Sequence, residues 1–255
     1  MSRKKIAHED GFQGTLLLIS PEHALDRQPE RRSLVPAVEN CPDILLERTA
    51  ARMLRQTLSE VGAGGRIAAV SGYRPHQEQV DIWEDTLQKE GETFTRTYVA
   101  KPGHSEHESG LAIDLAEQRE SIDFICPAFP RTGICQRFRR AAPFRGFVER
   151  YPAGKERVTG IDAEPWHFRY VGYPHSVIMT RDGMVLEEYL QFLKAETSPN
   201  RPYCYEEDGV RVHICYLPLD EWEGRELTWP DTFPALLSGT NEGGLVWTCW
   251  GGRYA

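Results

Sequence analysis

Four of the chain's eight histidines, His104, His107, His167 and His175, stand in or close to two runs whose residue types could do chemistry. The first run is Pro102-Gly-His-Ser-Glu-His-Glu-Ser-Gly-Leu-Ala-Ile-Asp114. A strand over 110–115 would put Gly110, Ala112 and Asp114 on one face and Leu111, Ile113 and Leu115 in the core, because successive side chains alternate. Small neighbours leave room above Asp114, and His107 enters from the preceding turn. A neutral imidazole and a carboxylate held this way are ordinary ligands of catalytic zinc. The second run is Glu164-Pro-Trp-His-Phe-Arg-Tyr170. Glu164 and His167 suit a general base beside a metal ligand, but an offset of three in a regular strand points to opposite faces, so Pro165 has to bend the strand. Three protein ligands leave a fourth position for water, whose proton a nearby carboxylate can take. A third piece, Ser71-Gly-Tyr-Arg74-Pro75 followed by Gln79, puts Arg74 at the exit of a buried strand, where a fixed cation could stabilise an oxyanion.

Each run alone also admits a structural reading. Trp166, Phe168 and Tyr170 could form an aromatic strand face with His167 as a core histidine. His104, Glu106 and Glu108 read as loop residues or supports of the neighbouring ligands, and His175 as a turn or helix-cap residue. The ordered occurrence of a carboxylate-flanked His, a strand Asp, a Glu-x-x-His and a strand-end Arg favours the chemical reading.

The elements that must position these groups follow from periodicity. Residues 12–20 read as a strand ended by Pro21, and 43–61 as an amphipathic helix stopped by Gly62. A buried strand over 67–71 leads into the Arg74 motif, and a helix follows from His76 to about Glu90, closed by Gly91. Strands are expected over 110–115 and 166–171, a basic helix over 132–142 and an amphipathic helix over 186–195. After 196–202 the chain turns to short β-rich runs punctuated by Gly, Pro, Asn and Asp. The expected class is α+β: a small antiparallel sheet with flanking helices (1–197), plus a β-rich C-terminal appendage (198–255).

Composition narrows the partners. With 30 Lys+Arg against 38 Asp+Glu the net charge is −8, which disfavours a nucleic-acid surface. The longest apolar run, Leu16–Ile19, is far short of the roughly 20 residues of a membrane-spanning helix. The basic Met1–Lys5 is followed by Ile6-Ala-His-Glu-Asp10 rather than an apolar stretch, so the sequence reads as cytoplasmic, without a secretory signal. The six cysteines are scattered without a CxxC pair, so reduced thiols are expected and a thiolate zinc knuckle is not.

Ser105-x-His107-x-x-Gly110-x-Ala112-x-Asp114, followed by Glu164-x-Trp166-His167, resembles the signature of the VanX/VanY zinc D,D-peptidases, and Ser71-Gly-Tyr-Arg74 resembles their substrate-side arginine motif. The likeness spans roughly residues 10–195 and is to the bifunctional VanXY type in particular, including Phe138-Arg-Arg-Ala-Ala-Pro143 and the run from Glu164 to Ser176. The tail beyond 200 resembles the C-terminal extension of one VanXY variant. The resemblance implies a VanX/VanY-like, hedgehog-like fold and Zn2+ held by His107, Asp114 and His167. It further implies Glu164 as catalytic base, Arg74 on the scissile carbonyl, and Ser105, Gln79, Tyr73 and Trp166 on the substrate side. The implied substrates are D-Ala-D-Ala and pentapeptide precursors ending in it, with no obligate protein partner, and the implied role is in glycopeptide resistance. A capping segment is expected over 85–102. The rival expectations are a housekeeping carboxypeptidase acting on L,D or crosslinked muropeptides, and a silent zinc-stabilised binding module.

Overall fold

The computed structural model describes residues 1–207 and 209–251, the side chains of Thr97, Tyr98 and Val210 aside. By contacts the chain divides into two units, Met1–Leu18 with Leu186–Ala255, and Ile19–Val185. The N-terminal strand β1 (Ser2–Lys5) belongs to the first.

The unit Ile19–Val185 begins with an antiparallel hairpin of β2 (Leu34–Val38) and β3 (Cys41–Glu47). Glu47 then caps α1 (Arg48–Glu60), its carboxylate accepting from Thr49 N at 2.7 Å and Ala50 N at 3.2 Å. Such a cap satisfies first-turn N–H groups that have no partner inside the helix. Periodicity assigns 43–61 to one helix, whereas the structure gives Asp43–Glu47 to β3. Ile44, Leu45 and Leu46 fit either pattern, and backbone pairing with β2 decides between them. Residues 12–20 also depart from expectation. They contain no ladder strand, and Leu16 N and Leu18 N bond instead to Ser238 Oγ and Thr240 O.

The central sheet is antiparallel, with the order β4 (Ile67–Ser71), β5 (Ala112–Glu117), β7 (Glu164–Tyr170), β6 (Phe147–Tyr151). Between β4 and β5 run α2 (His76–Glu90) and α3 (Glu92–Tyr98), joined at Gly91 with φ 82°. The segment 85–102, expected to cap the site, is therefore largely helical. One face of the sheet is apolar. Leu111, Ile113, Leu115, Phe168 and Tyr170 join Ala51 and Leu54 of α1 and Phe138 of α4 (Gly133–Ala141) in one buried cluster. Phe129, Phe138 and Phe168 meet edge to face at centroid distances of 5.8, 5.3 and 5.1 Å. That geometry suits the ring quadrupoles. The opposite face carries the polar groups. Two further helices, α5 (Glu156–Thr159) and α6 (His175–Asp182), flank β7 in sequence.

The other unit holds α7 (Leu186–Glu196), β8 (Tyr203–Glu207), β9 (Val210–Pro218), α8 (Leu219–Trp222), β10 (Glu226–Trp229), β11 (Ala235–Gly239) and β12 (Gly244–Trp250). Its sheet runs β11-β12-β9-β8, and β1 pairs with β10. Trp247 is buried in its core and meets Trp229, packed against that core, at 4.6 Å. The boundary read at 196–202 thus differs from the contact division, because α7 and the N-terminal strand group with the β-rich segment. No helix among the described residues is long and apolar enough to cross a membrane, and each of the six cysteines is a free thiol.

His175 opens α6 and is buried, and burial pushes its pKa down to about 3. An unfolded histidine titrates near 6.5, so between about pH 6.5 and 3 the unfolded chain holds a proton that the folded chain lacks. This group's contribution is fully present above pH 6.5 and is lost as the pH falls. Unfolding free energy measured in urea should drop by up to about 1.4 kcal/mol per pH unit on its account. His175→Gln should show a shallower slope, and an unchanged slope would assign the acid sensitivity to other groups.

Candidate active site

Sheet register brings the first two candidate ligands together. Asp114 of β5 lies directly across from His167 of β7, and Ala112 lies across from Arg169. Asp114 Oδ1 is 2.9 Å from His167 Nδ1. His107 arrives from a 3-10 turn, Glu106–Ser109, that ends at Gly110 in the left-handed region with φ 69°. A Cβ at Gly110 would stand 2.8 Å from Leu34 Cδ2, so close packing and backbone both require glycine there. The expected strand at 110 therefore starts at Ala112.

His107 Nδ1 lies 2.8 Å from the Gly72 carbonyl oxygen and must donate to it. Its Nε2 lies 3.2 Å from Asp114 Oδ2. The two imidazole rings meet edge to face at 5.0 Å. One donor atom from each of His107, Asp114 and His167 lies within 4.8 Å of the others. Burial opposes charge on both Asp114 and His167, and their mutual contacts overcome it. Asp114 is held far below the usual carboxylate range, chiefly by His107 and His167. Hydrogen bonds to Asp114 and Glu106 push His167 up to about 10. The cluster therefore favours positive charge at its centre. Two imidazoles and one carboxylate around a volume that demands positive charge form a donor set suited to a divalent metal, zinc in particular.

Glu164 reaches the same place through an irregularity in β7. Glu149 pairs with Phe168, but Tyr151 pairs with Glu164, so β7 spends four steps where β6 spends two. The bulge contains Pro165, and it turns Glu164 to the His167 side, with Oε2 3.8 Å from His167 Nδ1. Arg139 pins the bulge by donating to Pro165 O at 2.6 Å, to Phe129 O at 2.7 Å and to Glu149 at 2.7 Å. Burial raises the Glu164 pKa to about 7. His167 opposes the rise, and Asp114, Glu106 and Asp162 add to it.

Arg74 is tied to the cluster by its N–H, which donates to His107 O at 3.1 Å. Its guanidinium donates to Gln79 Oε1 at 2.8 Å and Ser71 Oγ at 3.3 Å. Gln79 is buried and donates to Ala100 O, so it acts on the site by orienting Arg74. Ser105 is buried at the start of the His107 turn. Tyr73 donates from its hydroxyl to Gln28 Oε1 at 3.2 Å. Trp166 is not brought to the cluster. It packs against the apolar core with Phe168, on the strand face opposite His167. One residue of offset in a strand reverses the face, and that overrides its place in the motif.

Glu106 and Glu108, read from the sequence as loop residues or supports of the neighbouring ligands, are buried supports, and their arginine partners Arg150 and Arg169 were not singled out. Glu106 is buried beside His167 with Arg150 and Arg169. Glu108 is buried too, accepting from Gly103 N at 2.7 Å and Gln28 Nε2 at 3.2 Å, with His76 Nδ1 at 2.7 Å. The one local signal was Arg169, two residues after His167 and therefore on its face of β7.

Comparison with known proteins places this geometry. Residues 43–173 match the family model described as VanY, D-alanyl-D-alanine carboxypeptidase. The bifunctional D-Ala-D-Ala dipeptidase and D-Ala-D-Ala carboxypeptidase VanXYC of Enterococcus gallinarum is 40% identical over 180 residues, covering 70% of this chain and 95% of that protein. The chain belongs to the VanY D-alanyl-D-alanine carboxypeptidase family. Among solved structures, the vancomycin-resistance D,D-dipeptidase VanXYg, in complex with a D-Ala-D-Ala phosphinate analogue, superposes with a TM-score of 0.92. It is 43% identical, over 98% of this chain and 99% of that one. A VanY D,D-pentapeptidase mutant from a VanB-type cassette, in complex with Zn(II), is 25% identical with a TM-score of 0.57, over 69% of this chain and 98% of its own. Like other VanY-family members, this chain is a metallopeptidase.

The turn that delivers His107 is testable on its own. Gly110→Ala forces a side chain into the left-handed region and against Leu34, and should cost about 1–3 kcal/mol in urea unfolding. A variant as stable as the parent would contradict the tight turn.

Proposed function

We propose that the chain is a zinc-dependent D,D-peptidase. It hydrolyses D-Ala-D-Ala and removes the terminal D-Ala from pentapeptide peptidoglycan precursors, and so supports resistance to glycopeptides such as vancomycin. The observation that carries this reading is the end-to-end likeness to a D,D-dipeptidase bound to a D-Ala-D-Ala analogue, together with the convergence of His107, Asp114 and His167 beside Glu164. All of these groups belong to the unit Ile19–Val185, which we assign as catalytic. Such substrates are made in the cytoplasm, which accords with a cytoplasmic location.

His107 Nε2, an Asp114 oxygen and His167 Nδ1 are the atoms assigned to zinc. Zinc bound there supplies Lewis acidity, polarising a carbonyl and lowering the pKa of water towards about 7. Glu164 takes the proton from the attacking water on its carboxylate and returns it to the leaving amine. Its carboxyl, raised to about 7, is matched to moving a proton near neutral pH, and a cation beside it favours the ionised form. Arg74, oriented by Gln79 and Ser71, donates to the oxyanion that develops on the scissile carbonyl. Ser105 and Tyr73 lie on the two segments that carry His107 and Arg74, and we assign them to holding the substrate.

The direct test is a substrate panel on zinc-loaded protein with and without chelator. D-Ala-D-Ala and the D-Ala-D-Ala-terminated pentapeptide should be cleaved, and chelation should abolish both activities. Cleavage confined to an L,D-linked tetrapeptide would favour a housekeeping carboxypeptidase. No cleavage of any peptide would favour a binding module. Glu164→Gln should retain zinc and lower kcat by about 10²–10⁴-fold. Arg74→Ala should lower kcat by about 10²–10³-fold, more than it weakens substrate binding. A change in KM alone would make Arg74 a binding residue.

A further inference from the structure

Behind His167, on the side away from Asp114, lies a fully buried ionic cluster that the proposed chemistry does not use. Glu106, Arg150 and Arg169 are each 2% exposed or less. Arg150 Nε and Arg169 Nη1 both donate to Glu106 Oε1, each at 2.8 Å. Glu106 Oε2 faces His167 Nε2 at 3.2 Å. Replacing such a cluster by apolar residues is often neutral or stabilising, so its burial is weak evidence for a role in stability alone. Its placement says more. Two guanidinium groups on one oxygen leave the carboxylate no freedom to rotate, and its other oxygen is aimed at a single ring nitrogen.

We propose that Glu106, clamped by Arg150 and Arg169, is a positioning residue that keeps the hydrogen of His167 on Nε2 and so reserves the Nδ1 lone pair for the metal. This rests on the zinc reading above. An ionised carboxylate can only accept, so His167 Nε2 must donate to it. The other ring nitrogen, Nδ1, is 2.9 Å from Asp114 Oδ1, on the side where His107 Nε2 and Asp114 converge and where a metal ion would take the place of the shared hydrogen. His107 is fixed in the mirrored sense, with Gly72 O holding the hydrogen on Nδ1 and leaving Nε2 for the ion. The two ligands are thus set to opposite tautomers by two different acceptors. Such partners behind metal-binding histidines orient the ring and raise its basicity. The ring of Tyr151, 4.9 Å from His167 with Arg150 stacked 4.9 Å beyond, limits rotation of the imidazole.

Glu106→Gln makes a specific test. The amide oxygen is claimed by the two guanidinium groups, so the amide NH2 is turned to His167 Nε2, where a second donor now opposes the ring. The ring must then carry its hydrogen on Nδ1 or swing away. We expect zinc affinity, measured by competition with a chromogenic chelator, to fall about 10–100-fold. Asp114→Ala should fall further. In zinc-loaded wild type labelled with 15N-histidine, ring-nitrogen NMR should show His167 protonated at Nε2 and metal-bound at Nδ1. This second readout needs no variant and holds even if Glu106→Gln does not fold. Hydrogen on Nδ1 with Nε2 on the metal overturns the proposal, as does a folded Glu106→Gln whose zinc affinity is within twofold of wild type. Wild type that binds no zinc overturns the zinc reading and this inference with it, whereas zinc binding with either contrary result overturns the inference alone.

Discussion

The cross-strand contact between Asp114 and His167 is the constraint on which the rest of the site depends. Antiparallel register makes the two residues direct neighbours, and His107 closes the triangle from a separate turn. Lone pairs on a buried imidazole and a buried carboxylate face one another, which is unfavourable unless a proton or a metal ion lies between them. The hydrogen bonds to Asp114 and Glu106 push His167 up to about 10, against the cost of its burial. The site is an arrangement that demands positive charge, which a divalent ion would meet.

Everything around this contact serves to hold it against its own cost. The phenylalanine cluster on the far face of β5 and β7 fixes the sheet, because a one-residue slip would exchange core and site. The bulge in β7 brings Glu164 to the His167 side, and Arg139 holds the bulge by its carbonyl. Arg74 is joined to His107 through the backbone and to Gln79 through its side chain, which ties the cation to the candidate ligands. The local positive charge of Arg74 and a metal matters more for small anionic peptides than the net charge of −8 spread over the chain.

Much of this was legible in the residues. The alternation of Leu111, Ile113 and Leu115 with Ala112 and Asp114 is a local signal of period two, and the structure follows it. Pro165 signalled the bend that brings Glu164 and His167 together. Two misread elements share one cause, the priority of long-range pairing over local pattern. Ile44–Glu47 resembles a helix but pairs with β2. Residues 12–20 resemble a strand but have no ladder. Trp166, offset by one from His167, packs against the apolar core. Arg150, the clamp on Glu106 and the partners of Glu108 were not legible, because they meet only after distant segments fold together. The pairing of β1 with β10, far along the chain, was not legible for the same reason.

X-ray absorption at the zinc edge, on protein loaded with one equivalent of zinc, tests the central claim most directly. The account predicts a four-coordinate ion with two imidazole nitrogens at about 2.0–2.1 Å, oxygen in the remaining positions and no sulfur, and loss of imidazole scattering in His167→Ala. A sulfur shell at about 2.3 Å, or a spectrum unchanged in His167→Ala, would place the metal elsewhere and contradict the account.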